Sequence, residues 1–442
     1  RDNWVNTFNV LGSDTTMINT GSYAWSIPDF ITTDIRVKLR ISDGTDPSVY
    51  TVSPVINPNP GTLKIRGLLS VSQPSAGTTW MYNTNQTLLW NSLGSISAVK
   101  IEYSKDNGAT WVAPPIETAR ANNAGINAYS WLVPDAIVPD FRCLIRITDV
   151  NDSSVNAVSG GFKIRGDFNI TQPISTTVFT VYDAQYNPNA YDIIWNTFGS
   201  IGYVDLYYST DDFLGFVPPT PTANTKVITT TYGNASLKTY SWRVPDRISS
   251  NVKVRIYDSA DYTVYKTSEV FTIRGDFIIN SPKSSYEWIV YDATTHPITY
   301  PITWNTVGTI SIVRIRYWDT TLATPDKWVT IPGCDSYANS GSYDWPVPDK
   351  ISYGAQAFDV KIRIIDPNNP TVVYKDSPGF KIRAKFQVTN PITNSAWTVT
   401  KPCPITWTTT GTVPLVKIEY LKGGSSGTWT LIPGTDNYPN AV

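Results

Sequence analysis

In the stretch "AVKIEYS" at 98–104, apolar Val99, Ile101 and Tyr103 alternate with polar Lys100, Glu102 and Ser104. A period of two is the mark of a strand with one face in a core and one in water. Extended along 67–166, the same pattern predicts strands near 68–74, 79–82, 87–91, 98–104, 110–113, 129–133, 141–148 and 160–165. It assigns Leu88 and Trp90, Val99, Ile101 and Tyr103, Tyr129 and Trp131, Cys143, Ile145 and Ile147, and Phe162 and Ile164 to inward faces. Lys100, Glu102, Arg146 and Lys163 fall on outward faces, which suits a sandwich whose outer surfaces are solvated. No amphipathic helical stretch of credible length interrupts the pattern, so the fold class is all-β.

The pattern repeats. A strand ending in Trp and followed by Gly occurs as "LLWNSLG", "IIWNTFG", "ITWNTVG" and "ITWTTTG", with tryptophans at 90, 195, 304 and 407. Then come "VKIEYS", "VDLYYS", "VRIRYW" and "VKIEYL", and after them the word Tyr-x-Trp-x-Val/Ile-Pro-Asp, starting at Tyr23, Tyr129, Tyr240 and Tyr343. Each unit closes on a pair of segments, for example "VKVRIYD" and "FTIRG". A period of about 105 residues suits one immunoglobulin-like sandwich and is too long for a propeller blade or a solenoid turn.

The phase of the repeat predicts tandem immunoglobulin-like β-sandwich domains in an elongated array. Residues 1–66 read as the C-terminal half of a domain, 67–166, 167–275 and 276–384 as whole domains, and 385–442 as an N-terminal half, so both ends are expected to fall inside a repeat. Linkers are nearly absent: a single Gly67, Gly166 or Gly275, or Ala384, separates the last strand of one unit from the first strand of the next. That favours a semi-rigid rod over beads on flexible string.

Composition narrows the function classes. Lys+Arg 35 against Asp+Glu 36 argues against a nucleic-acid or anionic-membrane partner. No apolar run reaches membrane-spanning length, and no signal-peptide pattern opens the chain. The single histidine, His296, lies in loop-like "YDATTHPITYP" and reads as a solvated loop residue. Cys143, Cys334 and Cys403 are odd in number and far apart, and Cys143 stands where other units carry Val37, Val252 and Val360, so it reads as a small buried hydrophobe. No phosphate loop, zinc-spaced cluster or nucleophile elbow is found, and no enzymatic function is expected.

Four features leave ligand chemistry open. Fifteen of the sixteen tryptophans fall on four repeat positions, of which the set at 80, 288 and 397 is expected nearest a sheet edge and most exposed. Turn carboxylates recur as Asp43 with Asp46, Asp149 with Asp152, Asp258 with Asp261, and Asp366 with Asn369. They read either as oxygen ligands for Ca²⁺, the one cofactor the sequence suggests, or as Asx-type turns that bond their own backbone. The Arg closing each unit (Arg66, Arg165, Arg274, Arg383) is either solvated or docked on a neighbouring carboxylate such as Asp167 or Asp276. Sequons at Asn85, Asn151, Asn169 and Asn234 permit glycosylation.

The ordered motifs "ITW…G", "V.IEYS…G..W", "GSY.W.VPD", "KVRI.D" and "F.IRG" resemble the tandem Ig-like repeats of large bacterial cell-surface proteins, most of all surface-layer (S-layer) proteins. The resemblance covers the whole chain. It implies an extracellular, structural protein of the cell surface that self-associates into a lattice, with cell-wall or glycan contact. An adhesin or carbohydrate-binding stalk, or the non-catalytic region of a secreted enzyme, is the alternative, hinted at by Phe213 and Phe216 in "DDFLGFVPP", where the third unit departs from the usual Gly-x-x-Trp segment.

Overall fold

The computed structural model describes residues 17–31, 37–53, 63–234, 238–319, 321–323, 325–352, 359–422 and 427–440, so Trp4 lies outside the described residues. Among these residues the regular elements are strands, and no helix is long and apolar enough to cross a membrane. Three separate hydrophobic cores follow one another along the chain, built from 69–164, from 168–273 with Val307, and from 277–382.

Strands β1 (Arg40–Ser42) and β2 (Tyr50–Val52) form a hairpin ahead of the first of these cores. The first core is enclosed by β3 (Leu68–Gln73), β4 (Thr79–Met81), β5 (Asn85–Leu93), β6 (Ala98–Ser104), β7 (Glu117–Ala121), β8 (Gly125–Leu132), β9 (Leu144–Asp149), β10 (Asn156–Val158) and β11 (Lys163–Arg165). One sheet runs β3-β5-β8 and the other β10-β9-β6-β7, all antiparallel. β4 pairs in parallel with β11, because the chain leaves the first sheet after β3 and crosses to the edge of the second. This is an immunoglobulin-like sandwich, and the units of the second and third cores repeat its three-stranded sheet and its parallel edge pair, Val178–Thr180 with Phe271–Arg274 and Glu287–Ile289 with Lys381–Arg383.

The alternation assigns the core correctly: every side chain expected to face inward is buried or packs against the core. Trp90, Trp195 and Trp345 are among the largest fully buried side chains. Burying such a ring contributes on the order of 3 kcal/mol, so these positions hold much of each unit's cohesion. An indole N–H in a dry core needs an acceptor. For the tryptophan of the central strand it is an asparagine in all four units: Trp90 Nε1 donates to Asn122 Oδ1 (2.8 Å), Trp195 to Asn234 (2.9 Å), Trp304 to Asn339 (2.7 Å) and Trp407 to Asn440 (2.8 Å). The same amide donates back to the backbone carbonyl of Ile96, Ile201, Ile310 or Val413, just after the Trp strand. One side chain thus ties the central tryptophan to the loop that leaves its strand. The Asn234 amide nitrogen is engaged in this way inside the core, so that sequon is closed to a glycan in the folded unit.

Several expectations are corrected. Residues 110–113 form no strand; pairing resumes at β7, after Pro114 and Pro115, which have no N–H to offer a ladder. Trp111 lies flat against Arg146 instead, 4.0 Å from guanidinium carbon to ring centre. Trp80 and Trp288 are not exposed (Trp80 7%), because the crossing strand folds their rings onto Trp131 and Phe162, and onto Trp345 and Phe380; only Trp397 of that set is exposed. Glu102 is buried (8%) although it points outward, since Arg146 and Lys100 close over it at 2.8 and 3.0 Å. His296 is buried (5%) and not solvated: Asp292 and His296 pair across a tight bridge, and neighbouring Thr295 meets Thr410 at 2.7 Å. Burial, with a smaller contribution from Lys385, lowers its pKa.

Cys143 is fully buried, as Val252 is at the matching position, and burial pushes its thiol up to about 11. Cys334 is fully buried and shifted the same way by burial, whereas Cys403 is partly exposed. A thiol reagent applied to the folded protein at pH 8 is therefore expected to modify Cys403 and spare the other two until denaturant is added. Mass spectrometry of the labelled peptides checks this, and rapid labelling of Cys143 would contradict the assigned core.

Candidate functional site: the joints between units

The aspartate that ends each Tyr-x-Trp-x-Val/Ile-Pro-Asp word does not serve its own unit. In the three complete units the Trp of the word fills the core and the Pro follows the end of the strand, and in all four words the carboxylate reaches the loop after the Trp strand of the next unit. Asp135 accepts hydrogen bonds from Ser200 N (3.1 Å) and Ser200 Oγ (2.6 Å). Asp29 accepts the same pair from Ser95, Asp349 accepts it from Thr412, and Asp246 accepts from Thr309 Oγ1. Two residues further on, Ile31, Ile137 and Ile248 pack against the next unit's core, and Ile351 lies against Gly411. Each joint therefore combines a carboxylate clasp with an apolar peg.

Glycine is required on the receiving side for two reasons. Gly94, Gly199, Gly308 and Gly411 have φ between +80° and +90°, where a side chain is strained. Space is short as well: a Cβ on Gly199 would lie 2.4 Å from Ile137 Cδ1. The connecting Gly67, Gly166 and Gly275 are equally confined; a Cβ on Gly275 would sit 2.6 Å from the Val307 carbonyl oxygen and 2.8 Å from Ile310 Cδ1. The recurrence of Gly at these places is legible in the sequence, and its cause is the close approach of two units.

A second contact crosses the same joints. Lys64 Nζ meets Asp152 Oδ2 of the next unit at 2.5 Å, and Lys163 Nζ meets Asp261 Oδ2 at 2.7 Å and Thr263 Oγ1 at 2.9 Å. Lys163, expected to be solvated, is thereby buried (5%). The closing arginines also cross: Arg66 Nη1 donates to Ser154 Oγ (3.2 Å) and Arg274 Nη1 to the Val372 carbonyl (2.7 Å). Neither uses Asp167 or Asp276, and Arg383 turns back to Glu287 within its own unit.

The candidate calcium carboxylates divide into two roles. The first of each pair shapes its own turn: Asp43 accepts from Thr45 N and Asp46 N, Asp149 from Asn151 N, Asp258 from Ala260 N, and Asp366 from Asn368 N and Asn369 Nδ2. The second accepts from the residue two further on: Asp46 from Ser48, Asp152 from Ser154, and Asp261 from Thr263. At 152 and 261 the remaining oxygen faces lysine, so an ammonium stands where a divalent ion would have to sit. No group of three or more His, Cys, Asp and Glu is arranged to hold a metal among the described residues. The Asp152 pKa is lowered, chiefly by Lys64 and then Ser154. Burial pushes Asp261 up, but Lys163 and Thr263 outweigh it and its net shift is downward. Asp258, buried beside Asp261, is shifted upward by burial.

Phe213 and Phe216 are not open to a ligand. They pack with Tyr207 and Tyr257 in a small cluster outside the main core, with Arg255 over the Phe213 ring at 3.9 Å.

The sequence matches no protein-family profile and no curated protein. Among solved structures it is similar to a four-domain ectodomain fragment of ICAM-5 (10% identity, 84% of this chain and 90% of that one, TM-score 0.26) and to the I9–I11 tandem of titin (9%, 71% and 99%, TM-score 0.25). It is also similar to the fibronectin(III)-like modules of Clostridium thermocellum CbhA (12%, 47% and 94%, TM-score 0.17). The chain is a series of tandem immunoglobulin-like β-sandwich units, as its own sheets and cores define it.

Proposed function

We propose that this chain is a structural segment of an extracellular, cell-surface protein, a stiff array of immunoglobulin-like domains divided at 66/67, 166/167, 275/276 and 384/385, which associates with copies of itself into a surface layer. The observation that carries the reading is the joint. The same clasp and peg recur at Asp29, Asp135, Asp246 and Asp349, and the residue types that elsewhere form ligand sites are spent on cores, turns and joints. A protein whose repeated feature is the docking of one unit on the next is built to hold distance and direction. Its near balance of Lys+Arg 35 and Asp+Glu 36 lets identical chains pack side by side without long-range repulsion. The carbohydrate-binding alternative loses its main support with the burial of Phe213 and Phe216.

Electron microscopy of the purified chain, with and without millimolar calcium, tests the proposal. Ordered sheets or ribbons are expected; dispersed single particles under every condition would overturn it, and a specific signal on a glycan array would favour the adhesin reading.

A further inference from the structure

The joints are not all alike, and the difference lies in two positions that change together. The first is the second residue of the closing segment, Lys64, Lys163 or Thr272; the second is the residue at one matching place in the turn of the following unit, Asp152, Asp261 or Asn369. Where the first is lysine the second is aspartate, and the two meet as an ion pair, buried at Lys163 and Asp261 and partly exposed at Lys64. Where the first is threonine the second is asparagine, and the crossing contact there is Arg274 to the Val372 carbonyl. At 152 and 261 the aspartate also accepts from the backbone two residues on, whereas the Asn369 amide donates to Asp366 Oδ2 of its own turn, so each turn closes within its own unit.

We infer that these two positions form a matching code for neighbouring units: ionic and neutral joints are each self-consistent, and a mixed joint docks poorly. The inference rests on the reading of the chain as a stiff array. The physical reason is the asymmetry of buried charge. A buried pair adds modest net affinity, whereas removing one partner leaves the other charge desolvated and alone. In an array of similar sandwiches, such a penalty directs each unit onto its proper neighbour and away from an unrelated one.

The groups around the pair are few. Lys163 faces Asp261 and Thr263, lies 5.6 Å from the Phe141 ring and interacts with Asp140; Asp261 faces Lys163 and Thr263, with Asp258 close by. Asp152 faces Lys64 and Ser154. A carboxylate held below its ordinary value contributes above its unfolded pKa and ceases to contribute as pH falls through the folded one. The ionic joints are therefore expected to loosen below about pH 4.

Pulsed electron–electron resonance on the full chain tests the code. Spin labels are placed at exposed Thr87→Cys and Lys266→Cys, one on each side of the second joint, with Cys403→Ser to remove the accessible thiol. The unmodified joint should give one narrow distance distribution. Lys163→Thr and Asp261→Asn should each broaden it at least twofold, and the double variant, which copies the neutral joint, should narrow it again. At pH 3 the unmodified joint should broaden more than the double variant. Single variants as narrow as the unmodified joint, a double variant as broad as the singles, or equal broadening in acid would overturn the code. A broad distribution in the unmodified chain would instead defeat the stiff-array reading itself. Near-ultraviolet circular dichroism of each variant verifies that the cores are intact.

Discussion

Asn122→Ala is expected to destabilise the first complete unit by about 2–5 kcal/mol, the largest effect of any single polar substitution in it. The side chain accepts from Trp90 Nε1 and donates to Ser92 Oγ (3.0 Å) and the Ile96 carbonyl (2.8 Å). Alanine abolishes all three bonds and leaves an indole N–H and a backbone carbonyl unpaired in a dry core, at about 1–3 kcal/mol each. A domain of this size holds only about 5–15 kcal/mol in total, so the unit should lose much of its margin and melt roughly 10–30 °C lower. Asn122→Asp, which retains the acceptor and loses the donors, should fall between. Hydrogen exchange read by mass spectrometry localises the effect: peptides from 67–166 should lose protection while those from 276–384 keep theirs. Equal protection in Asn122→Ala and the parent would refute the role given to the lock.

The second large effect is expected at a connecting glycine. Gly275→Ala should weaken the joint ahead of the third core by about 1–3 kcal/mol, because the added Cβ meets the Val307 carbonyl oxygen and Ile310 Cδ1 well inside contact distance. The chain itself suggests the compensation. Where the connector is Ala384, the residue at the position matching Ile310 is Val413, one methylene smaller, and both pack against the third core. Gly275→Ala with Ile310→Val should therefore recover part of the loss, leaving the share due to the carbonyl. Denaturant unfolding of the three variants gives the coupling directly, and strict additivity of the two changes would show that the fourth joint is not a guide to the others.

These two sites also show how far the sequence could be read. Inward faces were legible because burial follows a period of two, and Trp90, Cys143 and Ile164 lie where alternation places them. The Asn lock was not legible: Asn122, Asn234 and Asn339 precede the repeated word by different distances, so no spacing singles them out from the many other asparagines. Lys163 and His296 misled for a different reason. Each lies on the outer face or turn of its own unit, where alternation and turn chemistry predict water; Lys163 pairs with Asp261 of the next unit, and His296 is buried beside Thr295, which meets Thr410 of the next unit. Single-unit reasoning recovers single-unit cores, and the contacts that give this chain its character lie between units.

That character reduces to one claim: successive units are held in fixed relative orientation by the clasps at Asp29, Asp135, Asp246 and Asp349. Residual dipolar couplings of backbone amides in the full chain, weakly aligned in solution, test it most directly. Couplings from the three complete cores should fit one common alignment tensor, with equal magnitude and coincident axes, and Asp135→Ala should split the fit between the first core and the second. Three tensors of differing magnitude in the unmodified chain would mean that the units tumble independently, and the joints would then be contacts without stiffness.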